Sequence, residues 1–157
     1  MATTDPFGQL RKRIDAALRR LPRQAGVLAV NHFQDNFRRQ GFDGKPWKEV
    51  KRRLPTGGRT NRRGTATRLT YRRGAGRTRG ILIQTGRLRR SIRITKTTAD
   101  SVTVGTDTPY AAVHNEGLRA GRGSGFQMPK RQFIGTDRKL KQELEDLVKK
   151  QITAAFK

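Results

Sequence analysis

The chain has no cysteine, which excludes disulfides, thiolate zinc sites and cysteine nucleophiles together and leaves the redox compartment open. It has two histidines and 12 Asp plus Glu in 157 residues, so acid–base pairs and metal-ligand sets have few places to form. Between Glu49 and Asp100 there is no acidic residue at all. Aromatic residues make up 6% and apolar residues 32% of the chain, and the mean hydropathy is −0.83. A chain of this length still buries a core, so the expectation is one domain over residues 1–157 with part of it lying outside that core. No run is apolar enough to span a membrane, and the N-terminus MATTDPFGQLRKR lacks a signal-peptide core, so a cytosolic origin is expected.

Positive charge is what the chain has in excess. The 36 Lys and Arg residues give a formal net charge of +24, far beyond what solubility requires, and imply nucleic acid or an acidic protein as partner. The acid-free stretch at about 51–80 is rich in Gly, Thr and Arg, and supplies the candidates for DNA or partner contact: Arg52, Arg53, Arg59, Arg62, Arg63, Arg68, Arg72, Arg73, Arg77 and Arg79. It reads as a long mobile loop, or as a β-ribbon with Leu69 and Tyr71 on one face. Its charge repels itself unless something anionic lies close by, which fits order gained against a partner. A solvated loop with no specific contact is the plain alternative.

Helical signals lie on either side. Asp5 followed by Pro6 reads as an N-cap and first helical residue, and Leu10, Ile14, Ala17, Leu18 and Leu21 recur at helical spacing. Beyond Pro22, the series Val27, Val30, Phe33 and Phe37 runs to Gly41, a residue suited to a left-handed cap. These are two helices, or one kinked at Pro22. In the turn that follows, Trp47 is the only tryptophan; it reads as a packing anchor, with base stacking as the functional alternative. At the far end Asp137 precedes a helix whose apolar face is Leu140, Leu144, Leu147, Val148 and Ile152, with Phe156 one turn on.

The clearest folding signals run from Ile81 to Gly117. A Thr85-Gly86 turn precedes Leu88, and Ile92 and Ile94 alternate with polar residues as Val102 and Val104 do after the turn at 98–101. A β-hairpin is expected, followed by a corner in which Tyr110, Ala111 and Val113 pack back on it and Gly117 releases the chain. Phe126, Met128, Phe133 and Ile134 then suggest a last short strand or docking segment. The fold class expected is α+β: a small antiparallel sheet around the central hairpin, packed by the N-terminal helices and the C-terminal helix.

Chemistry has little to stand on. His32 lies beside Phe33 with no metal ligand at a zinc spacing, and His114 lies near Glu116 without a nucleophile. The Gly-rich fragments RRGAGRTRG and AGRGSG lack the strand-to-helix context and the Lys-Ser/Thr of a P-loop. No catalytic, cofactor or metal site is expected. Sequence-specific reading of nucleic acid has no pattern to support it either.

Four blocks, taken in order, resemble the phage virion morphogenesis or tail completion family, the small Mu-like neck proteins of phage tails. They are FQDNFRRQGFDGKPW (33–47), ILIQTGRLRRSI (81–92), VTVGTDTPYAAVHNEG (102–117) and MPKRQFIG (128–135). Leu82, Thr85, Gly86, Leu88, Ser91, Ile92, Tyr110, Ala111, His114 and Gly117 match the family pattern, while Gln132 stands where a proline is usual. The resemblance implies a structural subunit in a homo-oligomeric, hexameric ring that completes the tail at the head–tail junction of the virion, after assembly in the host cytoplasm. It implies neighbouring tail terminator, tail tube or head–tail connector proteins, and double-stranded DNA in the channel, as partners, with no membrane. It implies a scaffold role for Trp47, Gly86, Leu88, Tyr110, His114 and Phe133. The other reading, motivated by charge alone, is a non-virion protein that binds nucleic acid without regard to sequence.

Overall fold

Pro22 does not divide the N-terminal helical stretch. In the computed structural model, which describes residues 6–51, 53–54, 57–60, 66–70 and 79–156, one helix of 34 residues, α1 (Pro6–Arg39), runs through it. A proline inside a helix removes one hydrogen bond and crowds the preceding turn, a cost of about 3 kcal/mol that tertiary packing has to offset. Pro22 is itself buried. The expected Asp5 cap lies outside the described residues.

The end of α1 differs from the reading that gave Gly41 the cap. Gln40 takes the left-handed conformation at φ 53°, and Gly41 opens the next strand, where an added Cβ would stand 2.6 Å from the Lys45 carbonyl oxygen. Glycine is needed at 41 for close approach across a hairpin. That hairpin pairs β1 (Gly41–Phe42) with β2 (Lys45–Pro46) through Asp43 and Gly44, both at positive φ, as a tight two-residue turn requires.

Further on come β3 (Gly57–Thr60) paired with β4 (Ala66–Thr70), the single-turn α2 (Arg87–Arg90), and the central hairpin β5 (Arg93–Thr97) with β6 (Val102–Gly105). After them stand α3 (Ala111–Glu116), the short pair β7 (Arg119–Ala120) and β8 (Phe126–Gln127), and the final helix α4 (Arg138–Ala155). The fold is α+β. Among the described residues the strands form four separate two-stranded antiparallel ladders, so the sheet expected around the central hairpin is there that hairpin alone. The hairpin sits directly on α1 at Gly26, where a Cβ would meet the Ile94 and Val102 side chains at 2.7 Å each. The C-terminal helix packs along α1, so α1 carries both.

Phe33, Phe37, Trp47, Ile81, Leu88, Ile92, Ala111, Phe133 and Leu140 form the buried cluster. At its centre Phe37 meets Trp47 edge-on at 5.5 Å and Phe133 at 5.1 Å between ring centroids. Phe37 and Phe133 are completely buried, each contributing about 1.5–3 kcal/mol of transfer free energy. Phe133 belongs to neither a helix nor a strand. The irregular segment at 130–137 threads the core, and its polar backbone is satisfied by side chains from three other places. Asn36 Nδ2 donates to the Phe133 carbonyl at 3.2 Å, and Trp47 Nε1 donates to the Gln132 carbonyl at 2.7 Å. The Phe133 and Ile134 amides donate to Asn115 Oδ1 at 2.9 and 3.0 Å. A buried backbone without ladder partners needs such donors and acceptors.

The apolar face of α4 is only partly covered. Leu140 and Ala155 are buried and Leu144 packs on the core, but Val148, Ile152 and Phe156 are exposed, the last by 63%. The stripe is wider than the flank that α1 covers. The first half of α1 has the same character, with Phe7 80% and Leu18 47% exposed.

Candidate polyanion-binding surface

The basic stretch leaves the core between two anchored ends. Gln40, held left-handed at the end of α1, accepts the Trp47 amide on its main-chain oxygen at 2.8 Å and the Ile81 amide on its side-chain oxygen at 3.0 Å. One residue therefore fixes the chain on both sides of the 48–80 excursion. Arg53 adds a second tie, reaching Glu49 Oε2 at 3.4 Å and the Arg79 carbonyl across the base. Although it is among the candidate contacts, its guanidinium is engaged within the fold.

Beyond the base, β3 and β4 form the ribbon that was one of the two readings of this stretch. Gly57 pairs with Thr70, Gly58 with Leu69 and Arg59 with Arg68, and the register slips between Arg59 and Thr60. Like charges directly opposite on a two-stranded ladder destabilise it, and no carboxylate occurs in the sequence between Glu49 and Asp100 to offset them. Arg52, Arg62, Arg63, Arg72, Arg73 and Arg77, and Tyr71 of the expected apolar face, lie outside the described residues.

Trp47 is buried to 7% exposure against Phe37, with its indole N–H committed to Gln132. It has no free face on which a base can stack. Leu88 and Phe133 are core residues. Gly86 is buried and takes φ 76° at the start of α2. Tyr110 stands outside: it occupies the position before α3, is 42% exposed, and meets His114 edge-on at 6.0 Å. The packing expected of it falls to Ala111.

Neither histidine forms a nucleophile–base pair among the described residues. His114 has its Nδ1 buried without a hydrogen-bond partner, and burial, followed by the charge of Arg131, holds its pKa below the ordinary 6.5. Glu116, its neighbour in sequence, pairs instead with Lys130 at 3.5 Å. The Ser91 hydroxyl lies 2.6 Å from Thr106 Oγ1 and 2.8 Å from Thr108 Oγ1, and donates to the Leu88 carbonyl. That hydroxyl cluster fastens α2 to the exit of β6. Among the described residues no group of three or more His, Cys, Asp or Glu is placed to hold a metal ion, and no helix is long and apolar enough to cross a membrane.

His32 was passed over in the sequence. It is buried on α1, with Nε2 at 2.8 Å from Asp137 Oδ2 and Nδ1 at 3.3 Å from Glu143 Oε2. Asp137 also caps α4, its Oδ1 accepting from the Leu140 amide at 2.7 Å. The cluster joins α1 to α4 across more than a hundred residues of sequence. Only the cap of α4 was visible in advance, because nothing local to His32 names its partners.

With this geometry in place, the comparison with known families is informative. The model of the phage virion morphogenesis family matches residues 2–153, nearly the whole chain. No curated protein and no solved structure matches.

Proposed function

Because the chain belongs to the phage virion morphogenesis family, and so takes part in building a phage particle, we propose that it is a tail completion subunit. In this reading copies form a hexameric ring at the head–tail junction, between tail tube or terminator and head–tail connector proteins. The basic ribbon meets DNA in the channel or acidic faces of those neighbours. One observation carries the reading: a ribbon with Arg59 opposite Arg68, in an acid-free stretch, is rooted at both ends by Gln40. A fixed root with an acid-free, arginine-rich extension is suited to contact. It has no use for turnover.

The exposed apolar residues of α4 and of the first half of α1 support burial against other copies, since patches of this kind mark interaction sites. Electron microscopy of the purified protein and of assembled particles tests the proposal. Closed rings, or density for the chain at the junction, are the expected result. A protein that stays monomeric at high concentration, is absent from particles and binds duplex DNA with a steep salt slope is the charge-driven alternative and refutes it.

A further inference from the structure

A second cationic surface lies away from the ribbon. Along α1 runs an open groove of about 1220 Å³, closed on its other side by α4 and by Arg89 of α2. Arg19, Arg20 and Arg23 line it with Arg89, and none of the four stands within ion-pair distance of a carboxylate among the described residues. The two acids of the groove are otherwise engaged. Asp35 holds Arg38 and Arg39 at 2.8 Å each, and Glu143 holds His32 and Lys139. The groove therefore presents unpaired guanidinium groups from a rigid helix.

Its floor is not built for phosphate. Val27, half-exposed, lies there with Leu28 and Leu147, and a phosphodiester backbone leaves such apolar surface wet. From Arg19 to Arg39 the groove follows about 30 Å of helix, the length of a short docking helix. Guanidinium groups along the edge and aliphatic side chains beneath are the complement of a helix with carboxylates on one face and leucine-like residues on the other.

We propose that the groove between α1 and α4 is a docking site for a carboxylate-rich amphipathic helix of a neighbouring protein. This goes beyond the tail completion reading, which assigns contact to the ribbon, and it stands whether or not that reading does. The probe is a synthetic peptide with glutamates on one helical face and leucines on the other, labelled for fluorescence anisotropy and added to the full chain at physiological ionic strength. A peptide of the same composition in scrambled order, and a short duplex DNA, are the comparisons.

The patterned peptide is expected to bind about tenfold or more tighter than the scrambled one. Arg20→Glu/Arg23→Glu and, separately, Val27→Asp are each expected to weaken it by about tenfold. Arg59→Glu/Arg68→Glu in the ribbon leaves it unchanged. Arg20→Gln/Arg23→Gln removes the charge without reversing it and checks that a loss does not come from unfolding, with circular dichroism run on every variant. Equal binding of the two peptides overturns the proposal, as does sensitivity to the ribbon variant alone. So does duplex binding that the groove variants abolish while peptide binding is absent, which assigns the groove to nucleic acid. Concentration-dependent association of the chain that the groove variants abolish, again without peptide binding, assigns it to a second copy and overturns the proposal as well.

Discussion

Replacing Gly117 by alanine isolates the contact on which the corner after α3 depends. Gly117 ends α3 at φ 72°, ψ 44°, and a Cβ there would lie 2.8 Å from the Lys130 amide nitrogen and 2.9 Å from its Cα and Cβ. The first two are main-chain atoms of the segment that carries Arg131 and Phe133 into the core. The Arg131 amide donates to the His114 carbonyl at 2.8 Å, so Lys130 cannot retreat without stretching that bond. The left-handed conformation alone costs an L-residue about 1–2 kcal/mol, and forcing extra atoms into a packed site adds about 1–3 kcal/mol. Gly117→Ala is expected to destabilise by about 3 kcal/mol.

Gly44 supplies the control. It sits at nearly the same backbone angle, φ 74°, with nothing within 4 Å of an added Cβ, so Gly44→Ala carries the conformational cost of about 1 kcal/mol by itself. Urea denaturation of both variants, repeated over a tenfold range of protein concentration to separate folding from association, measures the difference directly. A Gly117→Ala variant that loses no more stability than Gly44→Ala refutes the reasoning, because it shows that the 130–137 segment yields freely.

Other consequences follow from the same geometry. His32→Ala removes the ring that bonds both Asp137 and Glu143, and Asp137 is buried; a loss of about 1–3 kcal/mol in urea denaturation is expected, and a neutral substitution contradicts a tie between α1 and α4 at this point. Trp47→Phe keeps an aromatic ring against Phe37 but removes the donor to the Gln132 carbonyl, and is expected to cost about 1–3 kcal/mol; a neutral substitution shows that water replaces the indole. His114 makes stability fall with acid. Above pH 6.5 it is neutral folded and unfolded, and below 6.5 the unfolded chain takes up the proton first because burial lowers the folded value. Stability therefore declines as pH falls from 6.5 toward that lowered value, and His114→Gln removes this part of the slope; identical pH profiles for the two proteins from about pH 7 to about pH 5.5 refute the assignment. Finally, copies carrying +24 each repel at low salt, so raising ionic strength from about 0.01 to about 1 M, which shortens the screening length from about 30 to about 3 Å, is expected to promote self-association in sedimentation. Association that weakens steadily with salt indicates ion-paired contacts between copies instead.

Local periodicity read the elements well where one face decides them. Ile94, Val102 and Val104 alternate along the hairpin that lies over Gly26, and Asp137 caps α4 through the Leu140 amide. Reading failed where the deciding partner is distant. The spacing of Leu140, Leu144, Leu147, Val148 and Ile152 describes an apolar stripe, but which part of it is buried depends on α1, and no spacing within α4 carries that information. Pro22 argued for a break on local grounds, and the packing of α1 overrode it. The segment at 130–137 has no periodicity because its backbone is satisfied by Asn36, Trp47 and Asn115 instead of a ladder. In the candidate surface, the density of arginine was legible at once, whereas the engagement of Arg53 within the fold was not. That engagement is made by Glu49 and by a carbonyl 26 residues away.

The scarcity of acidic residues and the placement of the positive charge are two sides of one arrangement. A chain charged only for solubility intersperses its signs. Here several of the acids are tied to a neighbouring side chain: Asp35 to Arg38 and Arg39, Glu49 to Arg53, Glu116 to Lys130, Asp137 and Glu143 to His32. Each such pair removes a carboxylate from competition for the remaining cations. Glu143 shows the consequence most directly, because it lies in the same groove as Arg19, Arg20 and Arg23. Held on His32, it leaves those arginines to an outside anion; released, it would stand among them as an intramolecular rival and lower the local positive potential. On the docking proposal, the contacts that fasten α4 to α1 therefore bear on the groove as well, and a change that frees Glu143 from His32 is expected to weaken binding of the patterned peptide even where it leaves every groove arginine in place.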